Sequence, residues 1–225
     1  MITTVKPRDD FDEDFGLTGL TKYLAMHLTL RDEAATLDLI QRLSQREGPV
    51  YAQEVLDDAR RMAQSRLPED ALATLWLAAS GARFDPVGCG LGIRTWLHRV
   101  ESSCTAFIRQ RELSFVSALS PTDPDPALRA AVLAELQGLG PALAEAAVTS
   151  LCIPPLPGLV PALEAGVDEL GPDLGFRLFL RVVKVYFVPI GAARLSRFEE
   201  IGRRLGYHEW VVEDGNLNIW SDLED

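Results

Sequence analysis

The sequence predicts a mainly α, multi-helical bundle closed by a small C-terminal β-hairpin, and three observations carry that expectation. Helical apolar periodicity recurs along most of the chain. A nearly all-apolar helix begins at Leu174. Asp214-Gly215, a favoured dipeptide for two-residue hairpin turns, separates two short runs that alternate apolar and polar residues. An α-solenoid is the alternative arrangement, because Leu139-Gly140-Pro141-Ala142-Leu143 is echoed by Leu170-Gly171-Pro172-Asp173-Leu174. Solenoids need three or more repeats and no third copy is found, so the echo reads as shared helix punctuation.

Phe11 and Phe15 sit among Asp9, Asp10, Asp12, Glu13 and Asp14, which reads as a solvated acidic leader over 1–15 or as an acidic-aromatic docking arm. Helix then follows helix. Thr29 and Asp32 resemble a cap before Leu37, Ile40 and Leu43. Gly48-Pro49 breaks the chain ahead of the stripe Tyr51, Val55, Ala59 and Met62, and Pro68 stands where a first helical residue should, before Leu72, Leu75, Trp76 and Ala79. After Gly92, Ile93, Trp96, Leu97, Val100, Cys104, Phe107 and Ile108 share one face, with Arg94, His98 and Glu101 opposite. Asp125-Pro126 reads as an N-cap followed by proline at the first helical position, at the end of a candidate sub-domain break over 119–126. Ile153–Gly158 is a second proline-rich break.

The helix from Leu174 is apolar around most of its circumference, and Arg177, Arg181 and Lys184 form one polar stripe, expected to be the narrow face that escapes burial. The next helix turns Phe198 and Ile201 inward and Arg194 and Arg197 outward, stopping at Gly206. In the hairpin at 207–221, Trp210 opposes Ile219 on the apolar face and Trp220 points to the other. The expected organisation is one helical domain over 16–225.

Composition narrows function more by exclusion than by assignment. The 225-residue chain is 47% hydrophobic and 24% charged, enough to build a core, and its net charge of −11 disfavours general nucleic-acid binding, which needs a basic surface to neutralise phosphates. No apolar signal core opens the chain and the three cysteines are unpaired in spacing, pointing to a reduced, cytoplasmic setting without a membrane span. No metal-ligand or cofactor motif occurs, so neither metal nor cofactor is expected.

The leading expectation is a binding protein acting by stoichiometry, of the toxin-neutralising immunity type or an adaptor, with a basic protein partner. Its candidate binding residues are Phe11, Phe15, Arg177, Arg181, Lys184, Arg197 and Trp220. The competing reading is a small enzyme or anion-binding protein built on Gly88-Cys89-Gly90-Leu91-Gly92, with Arg94 in the first helical turn and His98 as a base for Cys89. A loop and a surface ion pair explain the same residues more simply. A helical small-molecule sensor is the third reading.

Overall fold

The computed structural model describes residues 13–26, 32–111 and 125–224. Among these lie nine helices: α1 (Gly16–Met26), α2 (Glu33–Glu47), α3 (Pro49–Gln64), α4 (Glu69–Ala79), α5 (Ile93–Gln110), α6 (Pro126–Thr149), α7 (Leu159–Val185), α8 (Ala192–Arg204) and α9 (Glu209–Val212). The fold is mainly α. Two helices act as hubs: α3 packs on α1, α2, α5 and α7, while α7 packs on α1, α3, α4 and α6. α8 lies on α6 and α9.

Local chemistry explains most boundaries. Asp32 caps α2 through Ala35 N–H (2.8 Å), whereas Thr29 lies outside the described residues. Asp125 accepts from Ala127 and Leu128 N–H ahead of Pro126, as expected of an N-cap. Pro68 is itself the N-cap of α4, one residue before the helical position assigned from the sequence. The α5 face is buried as its periodicity requires, from Ile93 to Ile108. The Gly-Pro echo, in contrast, is not shared punctuation. α6 continues through Gly140-Pro141, while α7 is broken at Gly171, which takes φ 84°.

The C-terminal hairpin does not form. Gly215 has the positive φ expected of a turn residue, but Glu209–Val212 is a helical turn capped by His208. β2 (Asn218–Ile219) instead pairs in parallel with β1 (Pro189–Ile190). Nor does the basic stripe face solvent. Arg177, Arg181 and Lys184 are all buried, as is Arg194 on α8, which was expected outside. The reason lies in carboxylates supplied from distant parts of the chain.

Arg177 is wholly buried and forms a bidentate pair with Asp58 of α3 at 2.6 and 2.8 Å, with Asp173 at 3.4 Å. The same guanidinium donates to Phe15 O at 3.1 Å and lies 4.5 Å from the centroid of the Phe15 ring. Asp58 in turn accepts from Leu17 N–H at 2.9 Å, satisfying a donor at the start of α1. Gly16 is required here, since a Cβ on it would stand 2.2 Å from Asp58 Oδ2. Tyr207 completes the cluster, donating to Asp173 Oδ1 at 2.6 Å and packing edge-on to Phe15. Burial opposes the charged guanidinium, but Asp58 and then Asp173 outweigh it and hold Arg177 well above its ordinary pKa.

Phe15 is therefore core, not a docking aromatic, and Asp14 beside it is buried as well, not solvated. Phe11 lies outside the described residues.

Removing one partner of a buried pair strands the other charge, a cost of about 3–5 kcal/mol, whereas an exposed pair is worth about 1 kcal/mol or less. Asp58→Ala is accordingly expected to lower the denaturation midpoint severely, and Arg42→Ala, which breaks an exposed pair with Asp38, to leave it nearly unchanged. Comparable losses in urea titrations of the two variants would contradict this placement of Arg177.

Candidate functional site

One turn of helix beyond Arg181, Lys184 begins a second charge cluster that fixes the C-terminal segment. Its ammonium donates to Val211 O at 3.1 Å, pairs with Asp214 at 3.0 Å and stands 3.9 Å from Asp14. Lys22 of α1 reaches the same Asp214 at 2.8 Å and Glu13 at 3.0 Å. Burial raises the Asp214 pKa, but Lys184 and the hydrogen bonds from Lys22 and Lys184 overcome it and leave the carboxyl at about 2. Arg181 is held differently, with its Nε donating to Ala79 O at 3.1 Å. Burial lowers its pKa, and Asp14 and Asp214 only partly offset that.

Above this cluster lies a cleft of about 300 Å³ lined by Glu13, Lys22, Trp210, Glu213, Asp214 and Gly215. Three carboxylates face one ammonium here, so the cleft is negative, and Trp210 forms an aromatic wall that is 54% exposed. This position of Trp210 reverses the inward one assigned with the hairpin. Trp220 is 56% exposed, as expected. Its indole donates to Asn218 Oδ1 at 2.9 Å, and the Asn218 amide donates to Phe187 O at 2.8 Å, linking Trp220 to the end of α7.

Phe187 breaks a local rule. α4 and α8 each end in the same pair of backbone bonds. Gly81 N–H donates to Ala78 O and Ala82 N–H to Leu77 O, while Gly206 N–H donates to Arg203 O and Tyr207 N–H to Gly202 O. α7 closes identically, with Phe187 N–H to Lys184 O and Val188 N–H to Val183 O, but phenylalanine occupies the position that glycine holds in the other two. Phe187 takes φ 51° and leaves its side chain 69% exposed. The left-handed conformation costs a non-glycine residue about 1–2 kcal/mol.

The remaining candidates are consumed by the fold. Arg94 donates to the carbonyls of Met62, Ala63 and Leu67 and pairs with Glu69 at 2.8 Å, stapling the end of α3 to the start of α4 rather than meeting an anion. Cys89 is exposed in a turn where its N–H donates to Asp85 O. His98 is on the surface, 3.2 Å from Glu101, as the ion-pair reading expected. Arg197 pairs with Glu135, as does buried Arg194, and Arg204 pairs with Asp125. The basic concentration at the C-terminal end is thus largely neutralised within the molecule. No group of three or more metal-ligating side chains is found among the described residues, nor any helix long and apolar enough to cross a membrane.

No protein-family model matches this chain, and no curated protein or solved structure matches it. Asp58, Asp214 and Phe187 were not singled out by sequence reasoning for the places they hold. For Phe187 the signal was present: the helix ends before Pro189 with no glycine at the position where one is normally found.

Two outcomes test this placement. Cys89 and Cys152 are expected to react with a thiol reagent in the native protein, while Cys104, buried and with its pKa pushed up to about 12, reacts only on unfolding. Native labelling of Cys104 at the rate of the other two would displace it from the core. The second concerns acid. A free aspartate titrates near about 3.9. The stability contributed by Asp214 is therefore present above that value and lost as pH falls towards its folded value of about 2. Asp214→Asn is expected to melt lower at neutral pH and to lose less further stability across that interval. Parallel melting profiles for the two proteins would dissociate Asp214 from Lys184 and Lys22.

Proposed function

We propose that this protein acts by stoichiometric binding, as a protein-interaction module whose partner carries a basic surface. The carrying observation is the pair of half-exposed tryptophans, Trp210 and Trp220, on a segment that also presents exposed Glu209, Asp222 and Glu224 and is held to the core by Lys184. Tryptophan is enriched among the anchor residues of protein interfaces, and surrounding carboxylates steer a cationic partner towards such indoles. The chain's net charge of −11 works in the same direction. An immunity-type inhibitor of a basic toxin, or an adaptor, is the kind of protein this describes. The competing reading loses Arg94 as an anion ligand, since its guanidinium is committed to backbone carbonyls.

The test uses the partner captured by the full chain from its native extract, purified and identified. Neutralising Glu209, Asp222 and Glu224 together is expected to slow association about tenfold at low salt and flatten its salt dependence. Trp220→Ala is expected to speed dissociation about tenfold or more without lowering the melting temperature, because the indole covers little of the core. Association that is indifferent to salt and to the three neutralisations, with dissociation unchanged by Trp220→Ala, would sink the proposal.

A further inference from the structure

The C-termini of α4 and α7 meet Ala25 of α1 at one end of the molecule. A Cβ on Gly81, just after α4, would lie 3.7 Å from Ala25 in α1 and 3.8 Å from Val185 at the end of α7. Arg83 and Arg181 donate to the carbonyls of Ala25 and Ala79 there. Both non-glycine residues with positive φ among the described residues, Ala82 and Phe187, belong to this end. Met26 and Phe187 are 67% and 69% exposed, and Asn218 ties Trp220 to the same place.

We infer that this end is a docking surface anchored by Phe187, and that it takes an amphipathic segment of the partner whose apolar face is flanked by lysine or arginine. The inference rests on the binding function proposed above and names both the surface and the chemistry it recognises. The apolar half of the recognition follows from Phe187, Met26, Ile219 and Trp220, a group of large side chains left in water. The basic half follows from charge. Arg83 and Arg181 already meet the carbonyls of Ala25 and Ala79, so the negative charge comes from the exposed carboxylates Asp222 and Glu224, which follow Trp220 directly. A second copy of the chain is disfavoured by the same reasoning, since each copy would bring net charge −11 and the same acidic rim.

The conformation of Phe187 supplies an independent argument. Its backbone closes α7 as glycine closes α4 and α8, so nothing in the helix end requires a side chain. Its ring is mostly in solvent and covers little of the core. A strained, exposed aromatic that the fold does not use is the pattern expected of a contact residue. This gives the surface a variant that separates binding from folding, because glycine relieves the strain while removing the ring.

The experiment measures fluorescence anisotropy with a labelled synthetic peptide of alternating-face leucine and lysine, and with its leucine and glutamate counterpart, on the full-length chain. The wild type is expected to bind the Leu/Lys peptide and not the Leu/Glu peptide. Phe187→Gly is expected to weaken that binding about tenfold or more while its melting temperature stays level or rises. Any of four results overturns the inference: no binding of Leu/Lys peptide, equal binding of both peptides, undiminished binding by Phe187→Gly, or a fall in its melting temperature that marks the ring as structural. Sedimentation equilibrium adds a fifth, a wild-type dimer that Phe187→Gly dissolves, which would make the occupant a second copy. Should Phe187→Gly leave peptide binding intact while Trp220→Ala still speeds dissociation of the native partner, only this inference fails. If neither residue affects either measurement, the proposed binding function fails with it.

Discussion

The bidentate contact between Arg177 and Asp58 is the interaction on which the rest of the structure depends. It joins the two hub helices, α3 and α7, through a charge pair with no access to solvent. It also organises what neither helix contains: Asp58 holds Leu17 N–H at the start of α1, Arg177 holds Phe15 O, and Asp173 extends the cluster to Tyr207 beyond α8. Such a pair is not an efficient source of stability, because desolvating two charges cancels most of their attraction. Its effect is on specificity. Any packing of α1, α3 and α7 that separated the partners would leave a bare charge in an apolar interior, so competing arrangements of these helices are penalised far more than the native one is favoured.

The same logic explains why the sequence reads well in some places and badly in others. Periodicity reports which residues leave water, and it placed the α5 face from Ile93 to Ile108 and the α3 stripe through Met62 correctly. It is blind to what a charged residue meets. Arg177, Arg181 and Lys184 looked like a solvated stripe because Asp58, Asp14 and Asp214, which surround them, lie more than a hundred residues away or beyond the next helix. The apolar residues around the rest of that helix carried the warning, since a helix buried on nearly every side has no face left for solvent. Arg194 misled in the same way, its partner Glu135 lying on α6.

The hairpin failed for a related reason. Asp214-Gly215 does make a turn, and local signals had no means of showing that Lys184 would draw Val211 O and Asp214 down together onto α7. That contact stabilises a helical turn at Glu209–Val212, which removes the first hairpin strand. The second strand then finds its partner at Pro189–Ile190, the only stretch of extended backbone the end of α7 presents to it among the described residues. Trp210, freed from an apolar face it would have shared with Ile219, becomes the wall of an acidic cleft.

The Lys184 cluster therefore serves the surface as well as the core. An interface formed from a loose C-terminal segment would lose binding energy to the ordering of that segment, about 0.5–1.5 kcal/mol for each side chain immobilised. Here Lys184 of α7 and Lys22 of α1 both hold Asp214, and Trp220 is tied through Asn218 to Phe187. The segment that carries the exposed aromatics is ordered before any partner arrives. Two departures from ordinary folding rules remain, and they differ in kind. The buried Arg177 is compensated at once by Asp58 and Asp173, so its role is complete within the fold. The left-handed backbone of Phe187 is answered by the bonds that close α7, but its ring is 69% exposed, and the account of that ring has to be sought outside the molecule.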